Sequence, residues 1–305
     1  MTDRTLVLDI GGTKIAAGLV DPDGTLSHAA KRPTPRGDAE TVWSAVDALI
    51  SEAVAAAGGA VSGAGISSAG PIEVREGTVS PINITGWEHF PIVDRVAAAV
   101  PGVPVRLGGD GLCMTLGERW RGAARGADFV LGMVVSTGIG GGLVLDGVPY
   151  HGRTGNAGHV GHVVVEPDGE PCSCGGRGCV ETVASGPRMT RWAVRHGWAG
   201  PAGADARELA DAANAGDMSA LSAFRRGGTA VAAMIASVAA VCDLDLVVIG
   251  GGVARSGPLL FDPLRDALAG YAGLEFIRGL RVVPAELDAN AGLVGAGALA
   301  NIEYA

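Results

Sequence analysis

The sequence predicts an α/β protein built as two similar lobes around a cleft, and three observations lead there. The chain has 305 residues, which is long for one small core, because single domains usually hold about 100–200 residues. Hydrophobic residues make up 48% of it and charged residues 18%, a balance that suits a buried core rather than a disordered chain. Its 50 glycines gather beside apolar β-branched runs, and one glycine-turned pattern recurs after about 125 residues, as an internal duplication would.

Residues 5–20 read as a strand (Leu6-Val7-Leu8), a tight Gly11-Gly12-Thr13 turn and a return strand from Ile15, closed by the turn Asp21-Pro22-Asp23-Gly24. Val42, Ala45, Val46, Ala48 and Leu49 fall at helical spacing and predict a helix over 39–57. A short strand follows and ends in Gly65-Ile66-Ser67-Ser68-Ala69-Gly70-Pro71. The second copy begins with an apolar strand over 129–135, a turn Ser136-Thr137-Gly138-Ile139-Gly140-Gly141-Gly142, a return strand Leu143-Val144-Leu145 and the turn Asp146-Gly147. Leu246-Val247-Val248-Ile249 then runs into Gly250-Gly251-Gly252, as the Ile66 strand runs into its own glycine turn. Helices are predicted over 112–125, 188–194, 205–214, 219–241 and 292–300. The expected division is a small lobe over 1–110, a large lobe over 111–288, and a C-terminal segment, 289–305, returning to the small lobe.

A formal net charge of -9 argues against a surface built to neutralise nucleic-acid phosphates or anionic lipid. No stretch of about 18 or more apolar residues reads as a membrane span, and Asp9 comes too early for a signal peptide, so a cytoplasmic protein is expected. The five cysteines do not form an even disulfide set. Cys172, Cys174 and Cys179 crowd together as metal ligands would in a reducing compartment, leaving Cys113 and Cys242 as expected buried thiols.

Asp9-Ile10-Gly11-Gly12-Thr13-Lys14 sets a carboxylate at a strand end, then two residues without side chains, then a hydroxyl beside an ammonium. Such a turn lets successive N–H groups surround a phosphate while the carboxylate orients Mg²⁺. One glycine pair equally suits a plain hairpin, but three clusters at matching places in two halves favour phosphate binding. The P-loop pattern is absent, and strand–turn–strand is the wrong context for a dinucleotide fold.

These loops, with Thr137-Gly138 and Gly250-Gly251-Gly252, resemble the phosphate and adenosine motifs of the ROK sugar-kinase family within the actin-like ATPase superfamily. The resemblance runs from about residue 5 through Ala289-Asn290-Ala291-Gly292-Leu293-Val294-Gly295-Ala296, nearly the whole chain. It implies a duplicated ribonuclease-H-like fold, Mg-ATP between the lobes and a homodimer. The family's repressors carry an N-terminal helix-turn-helix, for which the residues before Leu6 offer no room, so no nucleic-acid partner is expected.

His162, Cys172, Cys174 and Cys179 offer one imidazole and three thiolates, a set suited to closed tetrahedral Zn²⁺. The spacing matches the family's zinc signature and implies a structural ion holding the loop that bears His159, His162 and Glu181. Asp110, between an apolar strand and a helix, suits either a helix cap or the base that accepts a hydroxyl proton. The family's Asn-Asp motif at this place implies the base. The resemblance also implies sugar contacts from Asn83, His162 and Glu181, with Trp87 as packing.

Two positions depart from the family pattern. The Asn before the catalytic Asp is Gly109, and the Glu of its Ala-Gly-Glu-x-Gly-His motif is His159. Both serve hydroxyls around C3 in glucose-type relatives. The expected substrate is a glucose-like hexose phosphorylated at the 6-hydroxyl, and the two changes leave two readings: a sugar altered near C3, such as 3-amino-3-deoxyglucose (kanosamine), or ordinary glucose held with fewer hydrogen bonds. A catalytically weak sugar-binding regulator is the alternative that these changes leave open.

Overall fold

A computed structural model describes residues 3–302. β1 (Thr5–Ile10), β2 (Lys14–Val20) and β3 (Leu26–Pro33) form a meander, followed by helix α1 (Ala39–Ala56) and strand β4 (Gly63–Ser68). A small ribbon of β5 (Ile72–Glu73) and β6 (Thr78–Val79), helix α2 (Ile92–Ala99), strand β7 (Val105–Gly109) and helix α3 (Asp110–Arg121) come next. The second half repeats the meander with β8 (Val130–Val135), β9 (Ile139–Leu145) and β10 (Val148–Tyr150). It continues through α4 (Glu181–Ala184), α5 (Gly186–Arg195), α6 (Ala206–Asn214), α7 (Met218–Cys242), β11 (Leu246–Gly250), α8 (Pro258–Tyr271), β12 (Arg281–Pro284) and α9 (Ala291–Ala300).

The duplication read from the glycine turns is a duplication of topology. One sheet has the order β3-β2-β1-β4-β7 and the other β10-β9-β8-β11-β12. In each, the first strand pairs antiparallel with the second and parallel with the fourth. The parallel central strands are buried on both faces and therefore read as continuous apolar runs: Leu6, Val7, Leu8 and Ile10 in one sheet, Val247, Val248 and Ile249 in the other, are at most 1% exposed. One core joins β1, β2 and β4 to α1 and α2, including Trp43, Leu49, Ile66 and Val96. A larger one joins the second sheet to α5–α8, including Met133, Phe224, Ile235 and Leu264.

Helices α3 and α9 lie between the two sheets and touch backbone to backbone. A Cβ at Gly295 would fall 1.6 Å from the Cys113 carbonyl oxygen, and one at Gly117 would fall 2.3 Å from that of Ala291. No side chain fits either place, which is a reason for glycine unrelated to ligand binding. α9 also covers the first sheet, where Leu293 and Ala296 pack with Val7, Ala16 and Val20.

Several sequence expectations need correction. α3 begins at Asp110 and ends at Arg121, rather than spanning 112–125. Asp110 accepts the Gly111 N–H within the first turn (2.7 Å), and past Gly122 the Glu118 carboxylate takes the Ala123 N–H (2.8 Å), turning the chain out of the helix. β3, α2, α8 and β12 were not anticipated: β3 is a polar edge strand with no fully buried residue, and α8 holds Pro258 and Pro263, which read as breakers. Cys113 is fully buried, and burial pushes its thiol well up, but Cys242 at the end of α7 is only half-buried. Trp87 is packing, as expected, stacked on Phe90 with ring centroids 4.2 Å apart.

Candidate active site

Asp9 stands near the end of β1 with its side chain 18% exposed. The Ser67 hydroxyl donates to its Oδ1 at 2.9 Å, and the Lys14 ammonium lies 3.9 Å from Oδ2. Burial lifts its carboxyl above the usual range, with Ser67 and Lys14 opposing that shift. A Cβ at Gly292 would fall 2.8 Å from Oδ1, so the start of α9 closes directly over this carboxylate. Beside it, the Gly11 N–H donates to the Lys14 carbonyl (3.0 Å) and the Thr34 N–H to the Thr13 carbonyl (3.0 Å), shaping the first loop. Gly12 faces Asn83, whose Cβ would lie 2.3 Å from a Cβ there, so a sugar-side candidate and a phosphate-side candidate meet.

The second sheet contributes its own loops. The Ser136 N–H donates to the Gly138 carbonyl (2.9 Å), presenting Thr137 at the turn tip. Gly250 ends β11, and Gly251 adopts φ +100°, a conformation that favours glycine, with the Val135 carbonyl 2.4 Å from where its Cβ would be. Thr137 and Gly252 face a common cavity of about 600 Å³, whose rim includes Asp205, Arg207 and Arg255. That volume lies within the range of roughly 300–1,000 Å³ typical of small-molecule sites.

Asp110 opens onto the cleft at the N-terminus of α3. Surrounding protein partly desolvates it and lifts its carboxyl above the ordinary value, opposed first by the Gly111 N–H; the Asp9 charge raises it further and His159 lowers it. The two aspartates are thus near enough to sense each other. α3 is seated against β9, since a Cβ at Gly111 would fall 2.3 Å from the Gly141 carbonyl. Thr115 donates to Gly111 O and also lies 3.0 Å from Gly142 O.

His159 Nδ1 lies 2.8 Å from the Asn156 carbonyl, so Nδ1 carries the proton and, in the neutral ring, Nε2 is an acceptor. Nε2 is 3.3 Å from where a Cβ of Gly70 would be, on the cleft wall. Gly109 leaves open space, since a Cβ there would meet nothing nearer than 4.0 Å. Glu181 is not a solvated helix charge: its Oε2 accepts the Ile139 N–H (2.8 Å), tying α4 to the second glycine turn. His162 turns Nδ1 toward Cys172 Sγ (3.7 Å), and Cys174 Sγ lies 3.8 Å from Cys179 Sγ. All four candidate ligand atoms lie within 4.8 Å of one another.

The ROK family model matches residues 5–303. The chain belongs to the ROK family. It is 36% identical to the glucokinase of Thermotoga maritima over 97% of this chain and 96% of that one. It is 35% identical to the N-acetylmannosamine kinase of Yersinia pseudotuberculosis over 96% and 97%. Among solved structures, a ROK family glucokinase from Streptomyces griseus in complex with glucose and AMPPNP superimposes with a TM-score of 0.82 at 35% identity, covering 97% of this chain and 99% of that one. The fold is accordingly the duplicated ribonuclease-H-like, actin-like fold with two lobes around a cleft.

Within this ROK chain the sequence reading missed Ser67, Asn156 and Glu118. Ser67 is fully buried on β4 in a run of small residues, and only its register beside Asp9 reveals it. Asn156 bonds both backbone groups of Ile72, accepting its N–H (3.1 Å) and donating to its carbonyl (2.7 Å). Glu118 accepts the N–H groups of Glu286 and Leu287, anchoring the loop before α9 to α3.

The raised Asp110 pKa has a consequence for stability. The folded state holds this proton more tightly than the unfolded state, so ionisation costs stability as pH rises from the ordinary 3.8 through the raised folded value. Asp110→Asn is expected to raise the melting temperature at neutral pH, with the gap closing as the pH approaches 3.8. A lower melting temperature at neutral pH would contradict the electrostatic account.

Proposed function

We propose that this ROK protein is an ATP-dependent sugar kinase that phosphorylates the 6-hydroxyl of a hexose, with Asp110 as the general base. The observation that carries this reading is the register of the first sheet: Asp9 on β1 pairs with Ser67 on β4, which pairs with Gly108 on β7, so Asp9 and Asp110 stand at the same end of the sheet. Asp110 Oδ1 is engaged by the Gly111 N–H, leaving Oδ2 for the substrate hydroxyl. As that hydroxyl gives its proton to Asp110, its oxygen bonds to the γ-phosphorus, the bond from γ-phosphorus to the β–γ bridging oxygen breaks, and ADP departs. The turns at Gly11-Gly12-Thr13, Thr137-Gly138 and Gly250-Gly251-Gly252 hold the nucleotide, and Lys14 adds positive charge. Asp9 would orient the Mg²⁺ that accompanies ATP, an ion that neutralises charge on the transferred phosphoryl group.

Asn83, His162 and Glu181 are assigned to sugar hydroxyls, and Gly109 and His159 to the C3 side. Space at Gly109 and, with the ring neutral, an acceptor at His159 Nε2 favour a donor substituent such as the amino group of 3-amino-3-deoxyglucose. A Mg-ATP assay across glucose, mannose, 3-amino-3-deoxyglucose, N-acetylglucosamine, N-acetylmannosamine and fructose tests this. The expected result is turnover that Asp110→Asn abolishes and that is greatest with the 3-amino sugar. Preference for glucose would overturn the C3 assignment, and tight sugar binding without any turnover would favour the regulatory alternative.

His162, Cys172, Cys174 and Cys179 would hold Zn²⁺. Zn–S bonds of about 2.3 Å in a tetrahedron set sulfur ligands roughly 3.8 Å apart, and the Cys174–Cys179 separation of 3.8 Å fits. Four ligands leave no open position, so the ion is structural. Metal analysis is expected to give one zinc per chain, and Cys174→Ser to lower both zinc content and melting temperature. Full stability without zinc would contradict the assignment.

The division at 110 and 288, the homodimer and the cytoplasmic location belong to the same proposal. Among the described residues no helix is long and apolar enough to cross a membrane.

A further inference from the structure

A second cavity, of about 300 Å³, lies beside the cleft between edge strand β7 and the segment after β10. One wall is Val74, Arg75 and the β7 residues Val105–Leu107; the other is residues 151–155. Three arginines (Arg75, Arg106, Arg153) and His151 line it, and no carboxylate does, although the chain carries 32 acidic against 23 basic residues. Among the described residues, the guanidinium groups of Arg75 and Arg153 make no ion pair or hydrogen bond. They come from different lobes, Arg75 following β5 and Arg153 following β10. Both residues are exposed and line the same small cavity from two separate segments, so like charges share a surface that an anion would neutralise. Guanidinium forks match the several oxygens of a phosphate dianion better than the single atom of a halide.

The walls connect to the catalytic cleft. β7 runs directly into Gly109 and Asp110. Residues 151–155 lead into Asn156 and His159, and this segment is docked on the β5 region by Val74 N–H to Thr154 O (3.1 Å) and by the Asn156 pair to Ile72. An anion seated between Arg75 and Arg153 would add a charged bridge along the same seam and hold the His159 segment in place.

We propose that this cavity is an effector site for a phosphate dianion, either inorganic phosphate or the phosphoryl group of a sugar phosphate, held by Arg75 and Arg153 and strengthening sugar binding in the neighbouring cleft. The regulatory half of this proposal rests on the kinase reading, whereas the binding half does not. By linkage, a ligand that tightens sugar binding is itself bound more tightly when sugar is present.

Calorimetric titration of the full chain with inorganic phosphate, and separately with glucose 6-phosphate, tests it, with saturating Mg-AMPPNP present to block the nucleotide loops. The expected result is one binding event that weakens at least tenfold in Arg75→Ala/Arg153→Ala and by less in Arg75→Lys/Arg153→Lys, which keeps the charges but loses the forks. Binding of both ligands identifies free phosphate as sufficient, and binding of glucose 6-phosphate alone identifies a sugar phosphate as the effector. In assays, phosphate should lower the sugar KM of the wild type severalfold at unchanged kcat and leave the double alanine variant's KM unmoved. No binding under these conditions, or binding that the double alanine variant retains in full, would overturn the site. Because the titration involves no turnover, its failure is distinguishable from failure of the kinase reading.

Discussion

The backbone contact between α3 and α9 is the constraint on which the rest of the structure depends. At Gly117 and Gly295 the two helices approach so closely that a methyl group would overlap a carbonyl oxygen. α3 carries Asp110 at its head, and α9 brings Gly292 over Asp9 at its own. Fixing the helices against each other therefore fixes the spacing of the two carboxylates. Glu118 reinforces that spacing by accepting backbone N–H groups from the loop that enters α9.

The abundance of glycine has two separate physical origins. Some glycines shape turns able to surround phosphate, as at Gly11-Gly12 and Gly250-Gly251-Gly252. Others, such as Gly111, Gly117, Gly141 and Gly295, exist because backbones of neighbouring elements touch. The cluster Gly140-Gly141-Gly142 reads in sequence as part of a ligand loop, yet all three lie within β9, and Gly141 and Gly142 seat helix α3.

Much of the fold was legible because the duplicated meander writes the same signal twice: an apolar strand, a glycine turn and a return strand. That recurrence located β1, β2, β8 and β9, and the apolar run into a triple glycine located β11. The elements that escaped reading carry no such signal, since β3 is a polar edge and α8 contains two prolines. At the site, residues with distinctive chemistry were visible: the cysteine spacing anticipated a cluster that the structure brings within 4.8 Å. Ser67 and Asn156 were invisible because their roles arise from register and from contact between segments far apart in sequence. The arginine-lined cavity is of the same kind, as Arg75, Arg106 and Arg153 are unremarkable singly and meet only in the folded chain.

The central claim is that Asp110, partly desolvated at the cleft, takes the proton from the sugar. The pH dependence of kcat/KM for the preferred sugar, at saturating Mg-ATP, tests it most directly, because its acid limb reports the base of the free enzyme. The account predicts an acid limb with its midpoint above the ordinary aspartate value of 3.8, with activity lost as Asp110 is protonated and lost at every pH in Asp110→Asn. An Asp110→Asn enzyme that retained substantial activity with the same acid limb would contradict it.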